Sequence, residues 1–363
     1  MKIIKGMPDR KIFKHVLQAL FMILIISCSR SAIKNNEPQY PVVFPPPPDI
    51  PRIQYLTSLT SSTEVRGNQS AINMFIFGKE TPQPIIKPYG VAVRMPRIYV
   101  CDSGLGGLVI IDLSEKSFKY FIPTGRGMLQ LPLNCALDKE GFLYVADANR
   151  RQIVVFDGEG NYVSEFGEND ELFRPTDVVV SGDKVFVTSV KDQRIFVYDR
   201  QTGRKLYSFP DLEPGDQGYL YQPTNLSFDK DFIYVSDMGD NMIKIYSADG
   251  KFIRSAGGYG NSAGKLIRPK GVAVDPQSNL YVVDAAFENV QIFNETGNIL
   301  MFFGGPYKTH GDMWLPADVA ISTDGLEYFN KYIDEAYNLE YLIFVTNQYG
   351  PDKLSVYGFI GSE

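Results

Sequence analysis

Residues Pro269 to Phe293 read PKGVAVDPQSNLYVVDAAFENVQIF, and this stretch decides the fold. It holds three short apolar runs: Gly271 to Val274, Leu280 to Val283 and Val290 to Phe293. β-Branched and aromatic residues with period-two alternation make each run a strand. The turn between the first two carries Asp275, Pro276, Ser278 and Asn279. There Pro presets φ, and the Asx and Ser side chains satisfy the backbone. The unit is therefore a small antiparallel sheet that begins at a proline.

Working outward, the same unit recurs with leading prolines at Pro88, Pro132, Pro175, Pro223, Pro269 and Pro316, spaced 43 to 48 residues apart. That period is the length of a four-stranded propeller blade. The second strand repeats in register as Tyr99-Val100-Cys101-Asp102, Tyr144-Val145-Ala146-Asp147, Phe186-Val187-Thr188-Ser189, Tyr234-Val235-Ser236-Asp237, Tyr281-Val282-Val283-Asp284 and Phe344-Val345-Thr346-Asn347. Six copies predict an all-β, six-bladed β-propeller. Tyr99, Tyr144, Tyr234 and Tyr281 are expected between blades. With 44% hydrophobic and 13% aromatic residues the chain has ample core for one such domain over residues 52–363.

The pattern Pro-x-Gly-Val-Ala-Val-Asp, Tyr-Val-x-Asp, then Asn-x-x-x-Ile-x-Val-Phe-Asp resembles the NHL repeat, and Asp147 to Asp157 (DANRRQIVVFD) is its fullest second half. The resemblance covers roughly residues 85–360. It implies the fold; because NHL-like propellers serve as enzymes, RNA-binding modules and scaffolds, function has to come from the site.

The N-terminus reads as an address. Lys2, Lys5, Arg10, Lys11 and Lys14 precede an apolar run from Val16 to Ile26, too short to span a bilayer. It ends in Ile25-Ile26-Ser27-Cys28, which resembles a bacterial lipobox. Residues 1–27 are thus expected to be a lipoprotein signal peptide, and Cys28 the lipidated residue that anchors the chain to a membrane. Ser29 after the cysteine, by resemblance to enterobacterial sorting, implies an outer-membrane lipoprotein on the periplasmic side or the cell surface. The leader holds five basic residues and one acid, so its removal takes the net charge from −6 to −10. An acidic domain without a basic, aromatic-interleaved stripe is a poor partner for phosphate backbones, which argues against nucleic acid.

Residues 28–51 are expected to be a tether, its Pro45 to Pro48 run favouring polyproline II. Arg52 to Leu59 then alternates like a strand. Because the last blade lacks a fourth strand after Tyr357, this N-terminal strand is expected to complete it and close the ring. Thr60 to Lys87 is expected to be a loop with a short apolar piece, Met74 to Gly78. The last blade also carries an insertion, Leu326 to Leu342, where Tyr328, Phe329, Tyr332, Ile333, Ala336 and Tyr337 follow a helical period. One helical insertion is therefore expected, either covering a propeller face or presenting aromatics. Tyr328, Tyr332, Tyr337 and the single Trp314 are the candidate partner-binding residues. The insertion and the FPPPPDIPRIQYL segment resemble bacterial NHL lipoproteins, some of them neighbours of multihaem cytochrome systems, which implies envelope-protein partners with such cytochromes among the candidates.

Two rings of polar residues stand at the same ends of the first two strands. Two residues after each leading proline lie Gly90, Asn134, Asp177, Asn225, Gly271 and Asp318; at the end of each second strand lie Asp102, Asp147, Ser189, Asp237, Asp284 and Asn347. Oxygen ligands converging on an axis suit Ca²⁺ or another divalent cation, and gluconolactonase-like propellers hold a catalytic metal in this place. Asn134, Asp177, Asn225 and Asp318 are the candidate metal ligands. Turn-adjacent Asp and Asn also satisfy local backbone N–H groups, which is the expected role of the second ring. Neither ring contains Glu. Past the leader, His310 is the one histidine, so a multi-His zinc site and most triads are excluded, and no Cys-x-x-Cys-His stands for covalent haem. Cys101 and Cys135 replace apolar residues of the repeat and read as core residues, with a disulfide left open. The Gly-rich turns at Gly104 and Gly257 open no helix and are not phosphate cradles.

With no nucleophile or base assembled, no catalytic residue is named and no resident cofactor is expected. The reading is a membrane-anchored scaffold for protein–protein interaction in the bacterial envelope. A metal-dependent hydrolase or lyase working in the channel, and a ligand or carbohydrate sensor, stand as the alternatives.

Overall fold

Five of the six repeats each become a four-stranded antiparallel sheet with its strands in chain order, because short alternating runs joined by tight turns pair with their nearest neighbours. The computed structural model describes residues 41–67 and 81–361. Its strands, β1 to β25 in chain order, make six blades. The innermost strands are β3 (Pro88–Arg94), β7 (Pro132–Leu137), β11 (Pro175–Ser181), β15 (Pro223–Asp229), β19 (Pro269–Val274) and β23 (Pro316–Ser322). They touch one another in sequence, and β23 returns to β3, so the ring is closed around a channel. The protein is a six-bladed β-propeller.

The core lies between blades. Tyr99, Tyr144, Tyr234 and Tyr281 are buried there, as the period-two pattern requires. Between blades two and three, for example, Tyr144, Ile153, Val178, Val187 and Phe196 form one apolar layer. Each such side chain contributes about 1.5–3 kcal/mol on burial, so the inter-blade layers hold the ring together.

The seam is closed as the sequence implies. β2 (Ile53–Leu59) pairs antiparallel with β25 (Leu354–Gly361), from Ile53 opposite Phe359 to Leu59 opposite Leu354. Ile53, Leu56 and Leu59 are buried.

Two expectations need correcting. The first is the end of the tether. The compact unit begins at Pro41, not at residue 52, because β1 (Val43–Phe44) folds back on β2 as a fifth strand. The Phe44 ring lies 6.2 Å from that of Phe303, and Tyr55 N–H donates to Val42 O at 2.9 Å. Apolar contact here outweighs the solvated extended form that the Pro run favours.

The second is the helical insertion. Instead of an amphipathic α-helix, the segment makes two single 3₁₀ turns, Leu326–Tyr328 and Asn330–Tyr332, and β24 (Asn338–Asn347) already starts inside it. Pairing of β24 with β25 extends out to Asn338 opposite Gly361 and takes residues a helix would need. The helical period reports a packed patch instead. Phe329 is buried edge-on against Phe344 at 5.8 Å, with Leu326, Tyr328 and Ile333 around it in the layer that joins blades six and one. The leader, Cys28 and the Met74 to Gly78 piece lie outside the described residues. A short capped helix, α1 (Ser62–Arg66), precedes the latter.

Candidate functional site

Every innermost strand starts with a β-bulge, seen as a register shift just after the leading proline. A bulge re-aims the side chain it carries. Here it gathers the residues two after each proline at the neck of the channel. Asn134 Nδ2 donates to Asp318 Oδ2 at 3.0 Å although the residues are 184 positions apart. Val91 N–H also donates to Asp318 Oδ2 at 3.0 Å, while Asp177 accepts from Val178 N–H at 2.7 Å and from Leu226 N–H at 2.9 Å. Asn134 Oδ1 accepts from Cys135 N–H at 2.8 Å.

The two glycines of this ring are required by crowding. A Cβ on Gly90 would lie 2.1 Å from Asn134 Oδ1, and one on Gly271 would lie 2.4 Å from the Cα of Asp318. Blades one and five therefore yield space to their neighbours' side chains. Asn225 holds the same register in blade four, facing Ser236 as Asp177 faces Thr188. It is fully buried, and neither its Oδ1 nor its Nδ2 has a hydrogen-bond partner.

Burial sets the electrostatics of the neck. Asp318 is pushed up to about 7 by removal from water, against the hydrogen bonds from Val91 and Asn134 that favour its charge. Asp177 is driven well above the usual carboxylate range by burial and then by the negative charge of Asp318. Lys270 acts weakly on Asp318, and its ammonium is engaged elsewhere: it donates to Tyr89 Oη at 2.9 Å and stands 4.7 Å from that ring's centre. This bridge links blades five and one, and the sequence reading missed it. Its signal was a Lys and a Tyr one residue after the leading proline, where other blades carry Leu, Thr or Ala.

Beyond the neck the channel is a cavity of about 380 Å³ lined by the inner strands, with Arg94, Asn134, Asp177, Ser227 and Asp318 among its polar lining residues. The four candidate metal ligands thus belong to one ring, and three of them interact directly. Their oxygens are largely committed to N–H donors, and among the described residues no group of three His, Cys, Asp or Glu is placed to hold a metal.

The second ring has another job. Asp102 accepts from Ile86 and Lys87 N–H at 2.6 and 2.9 Å and from Gly104 and Leu105 N–H at 2.9 and 3.0 Å. Asp147, Asp237 and Asp284 repeat this clamp on their own blades. Each staples the loop arriving from the previous blade to the end of the second strand. In a four-stranded meander these loops all lie on one face, the face of the neck. They display one large apolar residue per blade to solvent: Ile86, Met128, Leu172, Tyr221, Tyr259 and Trp314, with Tyr259 76% exposed. Tyr349 joins them, under Lys87 at 5.6 Å, and Tyr307 stacks on Trp314 at 6.1 Å.

The candidate partner residues do not form one surface. Trp314 is on this rim, whereas Tyr328, Tyr332 and Tyr337 follow the first strand of blade six and lie at the opposite face, where Tyr332 O accepts from Gln54 Nε2 at 2.9 Å.

His310 makes no triad. Its Nδ1 meets Asp352 Oδ2 at 2.8 Å and its ring stacks on Tyr55 at 6.2 Å, but Ser58 Oγ donates to Asp352 at 2.9 Å and not to the imidazole. Cys101 and Cys135 are free and buried in the layer between blades one and two, and burial, then contact with Cys135, pushes the Cys101 thiol up.

Comparison with known proteins agrees with a propeller. No family model matches the chain. A segment of 227 residues, 61% of the chain, is 27% identical to Protein brain tumor of Drosophila melanogaster and spans 15% of that protein's length. Among solved structures, a protein of unknown function from Bacteroides thetaiotaomicron superposes with a TM-score of 0.58 at 12% identity, covering 85% of this chain and 75% of that one. A catalytically inactive virginiamycin B lyase from Staphylococcus aureus, solved with quinupristin, gives 0.52 at 13% identity over 76% of this chain and 95% of its own. Identity this low conveys the fold and no chemistry.

Proposed function

We propose that this chain is an NHL-type propeller lipoprotein, anchored through Cys28 to the bacterial outer membrane, whose role is to dock another envelope protein. The observation that carries the reading is the rim of exposed apolar residues, one from each blade, its loops held on four of the six blades by buried carboxylate clamps. Aromatic and apolar anchors on a rigid frame lose little entropy on binding and are the residues that dominate protein interfaces. The ordinary occupant of such a surface is a protein, and the acidic charge past the leader argues against nucleic acid.

Chemical cross-linking in cells tests the docking face. Trp314→Ala and Tyr349→Ala should each strongly reduce recovery of the cross-linked partner while stability stays within about 0.5 kcal/mol, as for other surface substitutions. Unchanged recovery, or an equal loss from Tyr332→Ala on the opposite face, would sink the assignment.

Anchoring is tested separately. Cys28→Ala should abolish palmitate labelling and release the protein from the membrane fraction; retention without lipid would refute the anchor.

A further inference from the structure

Past Cys28 the chain has two cysteines, and the fold puts both at one junction between blades. Cys101 is the residue before the clamp Asp102 on β4 (Arg97–Asp102), and Cys135 follows Asn134 on β7. In the repeat, the residue before the end of each second strand packs toward the residue three after the next leading proline. Between blades two and three this pair is Ala146 and Val178, and between blades five and six it is Val283 and Val319; each pair shares one apolar layer. Between blades one and two the pair is Cys101 and Cys135, again within one layer. No other junction has a cysteine in either half of its pair.

Gly90 lets the two blades approach at this level. It stands beside Cys101 in the sheet of blade one, between the pairs Val91 with Val100 and Pro88 with Asp102, and a Cβ there would lie 2.7 Å from the Cα of Asn134. The Cys101 thiol is in hydrogen-bonding contact with Cys135, and both thiols are free in the structure.

We propose that in the exported protein Cys101 and Cys135 are joined by a disulfide that fastens blade one to blade two at the level of the neck. This goes beyond the docking reading and takes from it only export, because disulfides persist in oxidising compartments. Each thiol gives up its proton, the Sγ–Sγ bond forms, and two electrons and two protons pass by thiol–disulfide exchange to a disulfide of glutathione or of an oxidoreductase, which becomes two thiols. Exchange needs an accessible thiolate, and the finished layer buries both residues, so the bond forms while the chain folds. It links positions 34 apart and thereby restricts the unfolded chain, a restraint that the Ala and Val pairs of other blades do not supply.

The test refolds the full chain, as Cys28→Ala, from urea in a glutathione redox buffer, and in parallel isolates the native protein from cells under acid quench. Both samples are unfolded in iodoacetamide, and the peptides holding Cys101 and Cys135 are read by mass spectrometry. A linked Cys101–Cys135 peptide in both, with alkylation only after reductant, supports the proposal. The oxidised chain should then melt about 5 °C above the reduced one. Cys135→Val, which copies Val178 and Val319, should fold and melt at the same temperature with and without reductant. Alkylation of both cysteines without reductant in both samples makes them ordinary core residues and overturns the proposal. Linkage on refolding with free thiols in cells overturns it too, and traces the failure to the compartment and not to the geometry; the docking face is still judged by cross-linking alone.

Discussion

Asp318→Asn should stabilise the protein at pH 8 and destabilise it by about 1–2 kcal/mol at pH 4. The Asp318 carboxyl titrates at about 7 in the folded protein and near its ordinary 3.8 when unfolded. The folded state therefore holds the extra proton between those values. Stability depends on pH with the sign of protons bound unfolded minus folded, so it is fully present below about 4 and falls as pH rises through 7. At about 1.4 kcal/mol per pH unit, the wild-type chain loses up to roughly 4 kcal/mol over that window. An amide cannot ionise, so the variant should lose the pH dependence. It also removes the charge that raises Asp177. Against this, the Asn amino group replaces an acceptor oxygen at the neck, a cost of about 1–2 kcal/mol, which leaves a net gain of about 2 kcal/mol at pH 8. Urea denaturation at the two pH values measures it. Destabilisation at pH 8 would show that the ionised carboxylate is needed where it stands.

The neck also shows how far the sequence could be read. Aligning the chain on its leading prolines brings Asn134, Asp177, Asn225 and Asp318 to one ring, since a repeat period translates directly into rotation about the axis. The same alignment marks Asp102, Asp147, Asp237 and Asp284 as backbone caps, and the structure gives each its four N–H donors or a close equivalent. What no alignment conveys is distance. That Asn134 reaches Asp318 over Gly90, and that Asn225 is left without a partner, depend on bulge geometry and on which neighbour yields space. The insertion failed for a related reason. Tyr328, Phe329, Tyr332 and Ile333 keep a helical period, but period reports which residues share a buried patch, and strand pairing from Asn338 onward decided the backbone. Of the rim only Trp314 was named; Ile86 and Tyr221 were overlooked because they sit in irregular loops, where the only signal is the offset of two residues before the proline that they share with Trp314.

A chain that begins at residue 61 should fail to fold as a monomer, whereas one that begins at residue 41 should fold. Residues 41–60 supply β1 and β2, the two outer strands of blade six, and so lock the first described residues to the last. Ile53, Leu56 and Leu59 are buried in the layers on the two sides of that blade. At about 1.5–3 kcal/mol each they contribute roughly 6 kcal/mol, before the ladder to β25 and the contact of Tyr55 with Tyr357 at 5.6 Å are considered. That is comparable with the whole stability of an ordinary domain, about 5–15 kcal/mol. Truncation would also bare the edge of β25, an eight-residue strand reading LSVYGFIG, which invites edge-to-edge association. Circular dichroism and gel filtration of the two chains should show a cooperative melt and a monomer for the longer one, and aggregation for the shorter. A peptide of residues 41–60 added in trans should restore the shorter chain, since strand addition at a free edge uses the same hydrogen bonds. If the shorter chain instead melts at the same temperature as the longer one, the ring is closed by the contacts between blades six and one, and the N-terminal strands only cover its outside.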